Sequence, residues 1–88
     1  MLTLAQLAEH IGGVWYGNAN HAIFSFASLT RATSQDLAYY DNILLQSALA
    51  STKAGAVLLK AEHHHLYHGN SIVVANPLHA MMSVIPHL

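Results

Sequence analysis

Leu37-Ala38-Tyr39-Tyr40-Asp41-Asn42 runs without a break into Ile43-Leu44-Leu45-Gln46-Ser47-Ala48-Leu49-Ala50, and Gly55-Ala56-Val57-Leu58-Leu59 follows shortly after. The first six residues set aromatic side chains in a short extended run that ends on a helix-capping amide, which reads as a strand turning into a helix. The last five are apolar and open on a glycine, which reads as a second, buried strand. Strand, helix and strand over residues 37–59 form one βαβ unit with a right-handed crossover. In open α/β sheets a ligand settles just outside the carboxyl end of a strand. Tyr39, Tyr40, Asp41 and Asn42 stand at that end and are the first candidates for contact with a small molecule.

Working outward from this unit, Thr3 and Gln6 have the spacing of a capping box, and Leu4, Leu7, Ala8 and Ile11 then mark one apolar helix face. Gly12-Gly13 ends that helix. Val14-Trp15-Tyr16 and Ala22-Ile23-Phe24-Ser25-Phe26 read as strands on either side of the turn Gly17-Asn18-Ala19-Asn20, paired as a hairpin or lying as neighbouring edge strands. A polar connection over residues 28–36 leads into the βαβ unit. Beyond it, Glu62-His63-His64-His65-Leu66-Tyr67-His68 is followed by the apolar strand Ile72-Val73-Val74. Asn76-Pro77 opens a last helix, whose Leu78, Met81, Met82 and Ile85 have the spacing of a core face. The expectation is a small α/β domain of the α+β-like kind, with a mixed sheet and flanking helices.

An 88-residue chain closes one core, near the lower limit at which a core suffices. Only 8% of its residues are charged and 53% are apolar, with a mean hydropathy of +0.34. So few charges cannot coat a free-standing domain, and an apolar face covered by a further domain or subunit is expected. Three basic residues and a net charge of −1 exclude an electrostatic footprint for nucleic acid and a basic face for anionic membrane. No apolar run is long enough for a membrane span, and no basic n-region opens a signal peptide, so the expected location is the cytoplasm. The absence of cysteine excludes disulfides and thiol chemistry.

At the strand corner, an aromatic ring offers a face for a nucleobase, and the amide of Asn42 carries both an acceptor and donors, matching the imide edge of uracil. The competing reading makes Tyr39 and Tyr40 ordinary strand residues, one on each face, and Asn42 a cap. The eight histidines include the His63–His68 cluster, but consecutive ligands diverge on a helix, so no metal site is assigned. Their firmer consequence is acid sensitivity, because eight imidazoles swing the net charge positive as pH falls. There is neither a G-x-S-x-G elbow nor a phosphate-binding glycine loop, so no catalytic residue and no cofactor is assigned.

In order and spacing, Thr3–Ala8, the Ser28–Ala32 connection, Asp36–Asn42 with Leu49, Ala54–Leu59 and Val73–Pro77 resemble the N-terminal domain of UDP-3-O-(3-hydroxyacyl)glucosamine N-acyltransferase, an enzyme of lipid A biosynthesis. The resemblance implies that residues 1–88 are a uridine-recognising domain whose ligand is a UDP-acylglucosamine. It also implies a parent enzyme in which a hexapeptide-repeat β-helix, absent from these residues, forms a homotrimer and supplies a histidine base. Acyl carrier protein would be met by that missing domain. Tyr39 stands where the family has a base-stacking aromatic, and Asn42 matches the asparagine that bonds the base. Ile43 and Leu45 replace a proline and a second aromatic, and Gln35 replaces a glycine, leaving Tyr40 as the candidate for the second wall. Two other readings are the uridine-recognising domain of a muramyl-peptide ligase and a non-enzymatic interaction module with a decayed pocket.

Overall fold

The computed structural model describes all residues 1–88. Its elements are β1 (Leu2–Thr3), α1 (Leu4–Ile11), β2 (Val14–Tyr16), β3 (Ala22–Ile23), β4 (Ser25–Phe26), β5 (Asp36–Tyr39), α2 (Gln46–Ser51), β6 (Ala56–Leu59), β7 (Ser71–Val73) and α3 (Pro77–Val84). Short 3-10 segments at Ile43–Leu45, Ala61–Leu66 and Ile85–His87 complete it. The α1 cap forms as its sequence requires. The Gln6 N–H donates to Thr3 Oγ1 at 3.2 Å, the Thr3 N–H donates to Gln6 Oε1 at 2.9 Å, and Gly12 closes the helix at φ 71°.

Five strands form a mixed sheet in the order β2-β7-β6-β5-β4, with β4 through β7 parallel and β2 antiparallel at the edge. The βαβ unit is therefore present, with β5 and β6 adjacent and Leu37 opposite Ala56. The three connections that step from β4 to β7 all move in one direction, and a right-handed crossover puts them on one face. On that face Leu29, Ala32, Leu49, Leu66 and Tyr67 pack against Ala38, Tyr40, Val57 and Leu59. On the other face α1 and α3 lay Leu4, Leu7, Met81 and Val84 against Leu37, Ala56, Leu58 and Ile72. Alternate residues of β5 and β6 serve the two cores, and β6 is buried at all four positions.

Two expectations are corrected. The run Ala22–Phe26 is not one strand, and it neither pairs with Val14–Tyr16 nor lies beside it. It divides at Phe24: β3 pairs with β1 in a separate ribbon, and β4 pairs with β5 at the sheet edge opposite β2. Asn70 explains why the Gly17–Asn20 turn does not close a hairpin. Its Oδ1 accepts from the Asn18 N–H at 2.9 Å and its Nδ2 donates to the Gly55 carbonyl at 3.0 Å, so the turn is tied to the β7 side. Phe24 and Ser25 both donate their N–H to the Gln35 carbonyl, a shared acceptor of the kind a bulge creates, where the chain changes partner.

The second correction concerns α3. Its buried residues are Pro77, Ala80, Met81 and Val84, while Leu78 and Met82 are exposed. The spacing expected of a core face is present, but one residue earlier than the large side chains suggest. Asn76 fixes the start, accepting the His79 N–H at 3.1 Å, and this turns the Pro77 ring and small Ala80 to the interior. Leu78 is thereby released to another task.

Candidate functional site

The corner after β5 is built by alternation. Leu37 and Tyr39 point to the α3 side, whereas Ala38 and Tyr40 point to the α2 side. Tyr39 is 38% exposed and Tyr40 is fully buried. Tyr40 meets His63 edge-on, with ring centroids 5.2 Å apart, and its hydroxyl has no hydrogen-bond partner. Tyr40 therefore cannot form the second wall of a pocket on the Tyr39 side, because successive strand residues face opposite ways. It is a core residue.

Tyr39 and Asn42 do come together. Both line a cleft of about 300 Å³ at the carboxyl end of β5, with Asp41 and Leu45 beside them and Leu78 of α3 closing the far side. Ser28 and Leu29, just past β4, complete the rim. That rim is held from behind, since the Thr52 hydroxyl donates to the Leu29 carbonyl at 2.6 Å. A second, almost wholly apolar groove of about 290 Å³ lies on the Phe26 and Met82 side of Tyr39 and Leu78. The largest hollow, about 470 Å³, runs along the carboxyl ends of β6 and β7 and offers Lys60 and Glu62 but no ring. The Tyr39 cleft is the one that joins a flat face to convergent polar groups, and this combination recognises small molecules.

Asn42 caps the turn after β5: its Oδ1 accepts the Leu44 N–H at 3.0 Å. Capping uses one lone pair of the amide oxygen, and Nδ2 makes no hydrogen bond within the chain. A second acceptor site and both donors of the amide are thus free. Where the sequence predicts a helix over residues 43–50, the chain makes a 3-10 turn at Ile43–Leu45 before α2. Only Leu49 of α2 is buried, while Ile43 and Leu44 stand in solvent. The tighter turn leaves Leu45 as part of the cleft wall.

Asp41 Oδ1 lies 3.0 Å from Lys60 Nζ and joins the ends of β5 and β6. Hydrogen bonding to the Asp41 carboxylate, then its charge, raises the Lys60 ammonium above its ordinary range, and burial does the same to the Tyr67 phenol. Both groups hold their protons more tightly folded than unfolded, so their contribution is complete below about pH 10 and is lost as pH rises beyond it. The melting temperature should accordingly fall as pH rises above about 10. A pH series of melts on Lys60→Met and Tyr67→Phe should show a shallower fall for each, and identical slopes would contradict the assignment.

The histidines do not converge. His10 meets His87 with ring centroids 4.3 Å apart, His64 meets Tyr16 at 4.2 Å and His63 meets Tyr40 at 5.2 Å, so each of these imidazoles is engaged with a different partner. No three His, Cys, Asp or Glu side chains form a group able to hold a metal ion. No helix is long and apolar enough to cross a membrane. Sequence reasoning marked Asp41 as a candidate for ligand contact and Leu45 as the place of a lost second aromatic, but did not mark Leu78 as a cleft wall. Asp41 and Leu45 lie in the stretch that decides the fold, but Leu78 carries no local signal, because its spacing is that of a core residue.

Residues 20–87 match the family model described as UDP-3-O-(3-hydroxymyristoyl) glucosamine N-acyltransferase, LpxD. Among curated proteins, the UDP-3-O-acylglucosamine N-acyltransferase of Marinomonas sp. (strain MWYL1) is 42% identical over 82 residues, covering 93% of this chain and 24% of that protein. The proteins of the same name from Ectopseudomonas mendocina and Saccharophagus degradans are 40% and 36% identical, each over 85% of this chain and 21% and 22% of their own lengths. The chain spans about a quarter of the length of the curated relatives it matches. With the family model matched across most of its residues, the chain belongs to the UDP-3-O-acylglucosamine N-acyltransferase family.

Proposed function

We propose that the Tyr39–Asn42 cleft receives the uracil of a UDP-linked acylglucosamine and that residues 1–88 are a substrate-recognition domain of an N-acyltransferase in lipid A biosynthesis. The observation that carries the reading is one cleft holding both an exposed aromatic face and an amide with unused donors and acceptor. The base stacks on Tyr39, its imide edge pairs with Asn42, and Leu45 and Leu78 close over it. Acyl transfer itself, from acyl carrier protein in a cytoplasmic homotrimer, belongs to the part of the parent enzyme that these residues do not include.

Titration of the ¹⁵N-labelled chain with UDP-N-acetylglucosamine should shift the amide signals of Tyr39, Asn42 and Leu45 first. A spectrum unchanged at millimolar nucleotide sugar would overturn the proposal. Leu45→Tyr gives a second arm, because it sets an aromatic wall opposite Tyr39. Stacking is worth roughly 1–3 kcal/mol per base, so this variant should bind about tenfold tighter. Equal or weaker binding would mean that Leu45 does not face the base.

A further inference from the structure

We infer that Asp41 reads the ribose of the bound nucleotide, so that the cleft selects ribonucleotides over deoxyribonucleotides. This inference rests on the reading of the cleft as a uridine site. Tyr39 and Asp41 line the same cleft, two positions apart on one side of the chain, while Tyr40 between them points into the core. At a rise of about 3.3 Å per residue in an extended chain, Asp41 stands roughly 7 Å beyond the stacking ring. That is the span from a pyrimidine to its own sugar, and it falls short of a sugar on the far side of a diphosphate.

The chemistry is selective at this place. An ionised carboxylate only accepts hydrogen bonds, so it needs O–H or N–H donors from the ligand. The one N–H of uracil's imide edge is met by Asn42, and the next donors along the nucleoside are the 2′- and 3′-hydroxyls. Asp41 has an oxygen to give them, because Lys60 engages Oδ1 at 3.0 Å while Oδ2 makes no hydrogen bond within the chain. Lys60 offsets a negative charge that would otherwise repel the neighbouring diphosphate. A carboxylate that holds ribose hydroxyls at the carboxyl end of a strand is a recurrent device of α/β nucleotide sites.

The test compares UDP with 2′-deoxy-UDP and 3′-deoxy-UDP by calorimetry on the 88-residue chain. A hydrogen bond to a charged group corresponds to roughly tenfold or more in affinity, so UDP should bind about tenfold tighter than at least one deoxy analogue. Asp41→Asn should collapse this preference to near unity. Lys60→Met deletes the same ion pair but keeps the anionic acceptor, so it should retain most of the preference. Equal binding of UDP and both analogues, with Tyr39→Ala weakening all of them, would overturn the ribose assignment and leave the uracil site standing. Equal loss of preference in Asp41→Asn and Lys60→Met would overturn it too, because the tie and not the acceptor would then matter. No binding of any of the three would remove the uracil reading and this one together.

Discussion

Tyr40→Ala should lower folding stability by about 3–5 kcal/mol, the cost of removing a large aromatic side chain from a closed core. Tyr40 is fully buried in one cluster with Leu29, Leu49, Val57 and Leu59, so its truncation opens a cavity inside that core. Small domains hold only about 5–15 kcal/mol in total, so the variant should melt tens of degrees lower or fail to fold. Tyr40→Phe should behave in the opposite way. The Tyr40 hydroxyl is buried without a partner, and deleting an unsatisfied polar atom is neutral or mildly stabilising, within about 1 kcal/mol. Thermal melts of the two variants decide the matter. An unchanged midpoint in Tyr40→Ala, together with lost nucleotide binding, would move this ring from the core to the pocket.

One residue earlier, the effect should appear in binding. Tyr39→Ala should weaken UDP-N-acetylglucosamine by about tenfold to a hundredfold, because the base loses the face it stacks on. Tyr39→Phe, which keeps the ring, should bind within about threefold of the parent. Stability should move little in either variant, since Tyr39 is more than a third exposed and its loss opens no closed cavity. Calorimetric titration beside a melting curve gives both readouts. Weakened binding in Tyr39→Ala with an unchanged midpoint supports a surface platform, whereas a drop of several degrees with unchanged binding would make Tyr39 a packing residue.

The contrast between these neighbours shows what the sequence could and could not reveal. Alternation along a strand is a local property, so the opposite fates of Tyr39 and Tyr40 follow from their positions once β5 is recognised. What it does not fix is which side will carry the pocket, and that depends on α3 lying over the Tyr39 face. The βαβ unit, the Thr3 capping box and the glycine stop of α1 were legible because each depends on residues close in sequence. The split of Ala22–Phe26 was hidden because it is imposed by distant partners, Leu2–Thr3 on one half and Asp36–Leu37 on the other. Leu78 misled for a related reason. A periodic row of large apolar residues names a helix face, but the cap residue decides how that face is turned, and Asn76 turned it by one position.

The pairing of β2 with β7 bears on how this chain is made. Val14–Tyr16 leaves the ribosome well ahead of its partner Ser71–Val73, with β3 to β6 synthesised between them. Through that interval an apolar, aromatic ribbon waits with its hydrogen-bonding groups unmatched, while the parallel core that follows it is still incomplete. The interval favours capture by a chaperone or by a neighbouring nascent chain. A truncation before Ser71 would prolong it indefinitely, leaving a product prone to clump even though its first helix is sound.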